Sequence, residues 1–88
     1  MQHISVIGGG TMGNGIAHVF AQHGYSVTLI DVAQAALDKA LATIHGNLDR
    51  QIKKGTLSEA EKTATLARLQ AQTDLALGVA TADLVVEA

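Results

Sequence analysis

The chain has 88 residues, fewer than the ~100–150 of the commonest domains, so it has room for one small core. Hydrophobic residues make up 48%, too many for a disordered segment. A formal net charge of −2, no basic run and only two aromatics, Phe20 and Tyr25, argue against nucleic acid as a partner. The absence of cysteine excludes disulfides and thiolate metal sites. The apolar stretches are strand-length, too short for a membrane span, and no basic-apolar leader precedes the first strand. A cytoplasmic protein without a metal site is the expectation.

Residues 3–7, His-Ile-Ser-Val-Ile, are short, β-branched and closed by glycine, the pattern of a buried parallel strand. A helix is predicted from Thr11 to His23, with Met12, Ile16, Val19, Phe20 and His23 as its inward face. Between strand and helix stand Gly8, Gly9, Gly10, Thr11, Met12 and Gly13. Gly8, Gly10 and Gly13 have the G-x-G-x-x-G spacing of a dinucleotide-binding turn. The first glycine permits the tight turn, the second admits a pyrophosphate, and the third lets helix and strand pack closely. The helix N-terminus adds unpaired N–H groups and a partial positive charge.

Gly24 suits the helix stop. A second strand, residues 26–30, ends at Asp31, 18 residues after Gly13. That is where an acid that accepts both ribose hydroxyls is expected, and its charge would repel a 2′-phosphate, so NAD is favoured over NADP. A glycine turn without a ligand, followed by an Asp that caps the next helix, is the alternative.

A long helix is predicted over 33–54, with Leu37, Leu41, Ile44, Leu48 and Ile52 as its core stripe. Gly46 interrupts it at about 1 kcal/mol relative to Ala. Lys53 and Lys54 suit its C-terminal dipole and Gly55 its stop. Ser58 to Glu61 form a capping box that opens another helix, running to about Arg68. Its inward residues are expected to be Ala60, Ala64, Leu66 and Ala67, with Leu69 just beyond. A weak strand at 69–73, a helical turn at 74–82 and a strand at 84–87 follow. Right-handed crossovers then give an α/β, Rossmann-type parallel sheet in the order 3-2-1-4. A helical hairpin is inserted between strands two and three, and the whole is the first half of a doubly wound domain.

Four stretches together carry a family resemblance: V-I-G-G-G-T-M-G-N-G-I-A, T-L-I-D, N-L-D-R-Q-I-K-K-G and A-D-L-V-V-E-A. They resemble the N-terminal NAD-binding domain of 3-hydroxyacyl-CoA dehydrogenases, particularly the 3-hydroxybutyryl-CoA type, over the whole chain. The resemblance implies an enzyme that oxidises the 3-hydroxyl of an acyl-CoA to a ketone with NAD as acceptor. It implies that Gly8, Gly9, Gly10, Thr11, Met12 and Gly13 hold the pyrophosphate and Asp31 the adenosine ribose. Ala88 would pass the nicotinamide-side ribose, and Asn47 and Lys54 would touch CoA. An ordinary solvated helix surface is the other reading of Asn47 and Lys54.

The family's catalytic histidine, glutamate, serine and asparagine have no counterpart here. His3, His18, His23 and His45 read as structural or surface residues, and Glu87 is left out of catalysis. The resemblance thus implies a partial domain, residues 1–88, of a longer protein with a helical substrate and dimerisation domain. The whole protein would be a homodimer and the 88 residues alone inactive. Two alternatives stand beside it: a dehydrogenase of the 3-hydroxyacid or 6-phosphogluconate type, and a non-catalytic dinucleotide-binding module.

Overall fold

The fold is taken from a computed structural model, which describes residues 2–88. Strand β1 (His3–Ile7) leads to helix α1 (Thr11–Gln22), β2 (Ser26–Ile30) and the long α2 (Gln34–Lys53). Then come α3 (Glu59–Ala67), β3 (Leu69–Gln72), the short α4 (Leu75–Val79) and β4 (Leu84–Glu87). The four strands form one parallel sheet in the order β3-β2-β1-β4, as the sequence predicts. Chain direction across the sheet reverses between β1 and β4, the switch point at which open α/β sheets bind ligands.

Register brings the strand ends level. Ile7 lies opposite both Ile30 and Glu87. Gly8, Asp31 and Ala88, each the first residue past its strand, therefore emerge side by side. At the other end Asp83 fixes β1: one carboxylate oxygen accepts from the N–H groups of Gln2 and His3, at 2.8 and 2.9 Å.

Alternation along the strands sorts the two faces. Ile4, Val6, Val27 and Leu29 are buried in one cluster with Ala17 and Ala21 of α1 and with Leu37, Ala40, Ile44 and Leu48 of α2. Ser5 and Ile30 point the other way, to α4. The Ser5 hydroxyl donates to the Gly78 carbonyl at 2.6 Å, and a Cβ on Gly78 would stand 2.5 Å from the Ile30 side chain. That second face is thinly covered: Leu75, Leu77 and Val85 stay exposed, whereas parallel sheets are ordinarily buried on both sides.

The inward face of α1 differs from the sequence expectation. Gly13, Ala17, His18 and Ala21 are the buried residues, Ile16 and Phe20 pack partly against the core, and Met12 and Val19 are 69% and 57% exposed. His23 is an exposed C-cap residue. Small residues win the inside because they let the helix backbone approach the sheet, and a pattern weighted by side-chain size overlooks them. Likewise in α3, Ala60 and Ala67 are exposed and Thr65 is buried instead. The Thr65 hydroxyl donates to the Glu61 carbonyl at 2.8 Å, so its burial leaves no unpaired donor.

The stripe of α2 holds, with Ala40 added and Leu41 and Ile52 half-buried. A Cβ on Gly46 would meet nothing within 4 Å, and nothing in the structure explains that glycine. The capping box of α3 forms in both directions. An ion pair between Asp49 and Lys62, 2.6 Å long, joins α2 to α3. Arg68 donates to the carbonyl of Ala21 at 2.8 Å, placing a cation at the C-terminal end of α1, where the helix dipole favours it.

Candidate dinucleotide site

The site begins where β1 ends. Gly8 adopts a φ of 110°, a left-handed conformation that L side chains seldom take, and its N–H donates to the Ile30 carbonyl at 2.7 Å. The chain can then double back over the sheet. Gly13 sits beneath the turn so closely that a Cβ there would lie 1.7 Å from the Gly8 carbonyl oxygen. Helix α1 is thereby pressed against the end of β1. Between the two, Gly9 is buried and Gly10 exposed. Around Gly10 nothing lies within 4 Å of where a Cβ would stand.

Helix α1 differs from the helices that cap themselves. Ser58 caps α3 and Asp74 caps α4 through their side chains. Gly10, at the N-cap of α1, offers no side chain, and the first turn of α1 holds no acid. Among the described residues, therefore, no side chain caps the leading N–H groups of α1, which lie at the positive end of the dipole. An anion fits there.

Asp31 is held by two backbone donors. Its Oδ1 accepts from Ala33 N–H at 3.0 Å and its Oδ2 from Gly9 N–H at 2.9 Å. These bonds, Ala33 first and Gly9 second, lower its pKa below the usual carboxylate value, against a smaller opposing effect of desolvation. Asp31 thus does two things. It braces the start of α2 and the glycine turn, and it remains a charged acceptor at the mouth of the switch-point crevice, since each carboxylate oxygen has a second lone pair.

Ala88 belongs to the same place. Its N–H donates to the Ile7 carbonyl at 2.9 Å, and its carbonyl oxygen lies 3.1 Å from the Cβ position of Gly8. Thr11 and Met12 are exposed at the front of α1. Beside the turn, an apolar cleft of about 230 Å³ is lined by Ile7, Ile30, Asp31, Val32, Thr73 and Leu75. Val32 is 90% exposed and Leu75 52%. Sequence reasoning missed this pair. The available signal was an apolar residue directly after Asp31, where a loop would be polar.

On the other flank of the turn, a groove of about 450 Å³ runs between the start of α1 and the middle of α2. Asn47 lines it and is half-buried, with its side-chain oxygen accepting from Arg50. Lys54 does not line it; it is the exposed C-cap residue of α2. The structure therefore brings Gly8 to Gly13, Asp31 and Ala88 together, sets Asn47 beside them and leaves Lys54 apart.

The histidines do not gather. His18 is buried with Nε2 2.7 Å from the Gln22 side-chain oxygen, and His23 Nδ1 lies 2.7 Å from the Val19 carbonyl. No group of three or more His, Cys, Asp or Glu among the described residues is arranged to hold a metal. No helix among them is long and apolar enough to cross a membrane.

A parallel 3-2-1-4 sheet, a glycine turn at its switch point, an uncapped helix start and an acid at the tip of the neighbouring strand define a dinucleotide-binding α/β unit. Comparison with known proteins agrees. A family model described as "3-hydroxyacyl-CoA dehydrogenase, NAD binding domain" matches residues 3–88, and the chain belongs to that family. It is 46% identical to a 3-hydroxybutyryl-CoA dehydrogenase of Bradyrhizobium diazoefficiens, over 99% of this chain and 29% of that protein. It is 44% identical to a 3-hydroxyadipyl-CoA dehydrogenase of Escherichia coli, over 100% of this chain and 18% of the other. The crystal structure of an (S)-3-hydroxybutyryl-CoA dehydrogenase from Ralstonia eutropha superposes with a TM-score of 0.96 at 41% identity, covering 100% of this chain and 31% of that one. The chain thus spans less than a third of the length of these relatives. The family match removes the 3-hydroxyacid and 6-phosphogluconate alternative.

Proposed function

We propose that these 88 residues are the NAD-binding part of a 3-hydroxyacyl-CoA dehydrogenase, acting on 3-hydroxybutyryl-CoA or a similar acyl-CoA. When bound, NAD supplies the acceptor for the hydride that leaves the 3-hydroxyl carbon as the ketone forms. The N–H groups of α1 behind Gly10, Thr11 and Met12 bind the diphosphate, with Gly9 and Gly13 shaping the turn. Asp31 accepts from the ribose hydroxyls and disfavours a 2′-phosphate. Val32 and Leu75 give an apolar wall for a base, and Ala88 borders the nicotinamide side. Asn47 and Lys54 contribute CoA contacts.

The observation that carries the reading is the uncapped, acid-free start of α1 beside an Asp31 already locked in place by Gly9 and Ala33. The groups that remove the hydroxyl proton are proposed to lie in parts of the protein that these residues do not include. So is a helical domain that completes a homodimer, in a cytoplasmic enzyme. The 88 residues alone then bind NAD and turn over no substrate.

Calorimetry tests this. The chain should bind NAD and discriminate against NADP, and Asp31→Ala should narrow the NAD-to-NADP affinity ratio by about tenfold, roughly 1.4 kcal/mol. A ratio is insensitive to partial unfolding of the variant. An unchanged ratio, or no binding of NAD by the unaltered chain, refutes the assignment.

A further inference from the structure

Strand β1 lies inside the sheet, and Ser5 at its middle is 2% exposed. A buried hydroxyl needs a partner. The partner of Ser5 is 73 residues along the chain, the Gly78 carbonyl, which accepts from it at 2.6 Å. Gly78 belongs to α4, the five-residue helix on the connection from β3 to β4. The last carbonyls of a helix have no partner within it, and the sheet supplies one here.

The rest of α4 is held with equal care. Asp74 caps its start by accepting from the Leu77 N–H at 3.0 Å, and the Asp74 N–H donates to the Gln72 side-chain oxygen at 3.1 Å. Gly78 then presses on β2. A Cβ at this position would stand 2.5 Å from both Cγ1 and Cδ1 of Ile30, and a real Cβ essentially never comes within 3.0 Å. Ile30 is 2% exposed, so it has little freedom to turn aside.

Ile30 and α4 also wall the apolar cleft beside the glycine turn. Ile30 lines it from the strand, Leu75 from the first position of α4, and Thr73 from the segment leading into α4. The contact at Gly78 therefore reaches the cleft by two routes. Displacing Ile30 changes one wall, and lifting α4 carries Leu75 away from the other.

We infer that Ser5 and Gly78 are positioning residues for the base half of the dinucleotide: they seat α4 on the sheet, and that seat sets the shape of the cleft that Ile30 and Leu75 offer to a base. Neither residue lines the cleft. Glycine at 78 admits the close approach, and the serine hydroxyl locks it. The inference rests on the dinucleotide reading above, which places a base in this cleft.

The test is an NMR titration with NAD, in which the dispersed amide signals report folded molecules alone. It compares this chain with Gly78→Ala, Ser5→Ala and Gly46→Ala. The last controls for alanine in place of a helical glycine, since its Cβ would meet nothing within 4 Å. Gly78→Ala and Ser5→Ala are each expected to weaken NAD about fourfold, the loss of roughly one methylene of apolar contact. At saturation the NAD-induced shifts of the Val32 and Leu75 amides should shrink, while those of Gly10 and Thr11 persist. Gly46→Ala should match the unaltered chain. If Gly78→Ala gives no folded signals, Ser5→Ala decides alone, since it adds no atom. Unchanged affinity in a folded Gly78→Ala or Ser5→Ala, or shifts that shrink equally at the turn and in the cleft, overturns the inference while the unaltered chain still binds NAD. If the unaltered chain binds no NAD, the dinucleotide reading falls and this inference with it.

Discussion

Gly10 and Gly13 lie three residues apart in one turn, yet the structure gives them opposite tasks, and a pair of substitutions separates them. In Gly13→Ala the new Cβ would meet the Gly8 carbonyl oxygen at 1.7 Å, and carbon atoms of this kind essentially never approach within 3.0 Å. The first helix must therefore move off the strand end by more than roughly 1 Å, taking Ala17 and Ala21 with it. Overpacking of this kind costs about 1–3 kcal/mol, offset by the ~1 kcal/mol that Ala gains over Gly within a helix. A clash with backbone rather than with a flexible side chain takes the upper end of that range, leaving about 2 kcal/mol net. For a domain of this size each kcal/mol is about 4–8 °C in Tm, so a fall of ~8–16 °C is expected. Gly10→Thr meets nothing within 4 Å and sits at an N-cap with φ −72° and ψ −170°, a conformation open to any residue. Threonine and glycine are similar N-caps, so the Tm should stay within about 3 °C. The threonine side chain would nonetheless occupy the space through which a diphosphate reaches the α1 N–H groups.

Differential scanning calorimetry and NAD titration together read the pair. Gly13→Ala should lower both Tm and affinity. Gly10→Thr should abolish measurable NAD binding while the Tm holds. Undiminished NAD affinity in Gly10→Thr would show that no phosphate approaches that backbone. An unchanged Tm in Gly13→Ala would show that the closeness of helix and strand carries no stability.

Two further outcomes follow from charge and from exposed surface. Asp31, Asp49 and Asp83 all have lowered pKa values: Asp31 through Ala33 and then Gly9, Asp49 through the Lys62 hydrogen bond, and Asp83 through Gln2 and then His3. A carboxyl depressed in the folded state contributes stability above its unfolded pKa and loses it as pH falls through the folded one. The Tm should thus be independent of these groups above about pH 5 and fall below about pH 4, and an acid-side Tm that is flat to pH 2 would contradict the three contacts. The exposed β4 flank and the residues Leu75, Leu77 and Val85 should favour self-association. Light scattering is expected to show dimers rising with concentration, and monomers throughout would remove that proposal.

The turn, the acid and the sheet order were legible in the sequence because each rests on local chemistry. A left-handed Gly8, a stop at Gly24 or Gly55 and a capping box at Ser58 depend on residues within a few positions of one another. The spacing from Gly13 to Asp31 follows from the length of one helix and one strand. Which side of α1 faces the sheet was not legible, because Met12 and Val19 outweigh Gly13, Ala17 and Ala21 in any hydrophobic periodicity. Only the approach of one backbone to another, Gly13 under Gly8, decides that the small residues go inside. Thr65 is likewise turned inward by the packing of α3, its hydroxyl satisfied by the Glu61 carbonyl one turn back. Neighbouring residues along the chain thus set the order of elements and the chemistry at the first strand's end. It took the assembled fold to bring Gly8, Asp31 and Ala88 out level, and to seat Gly78 on Ser5 and Ile30. Strand register and helix packing join residues far apart in the chain, and local pattern carries no information about such distances.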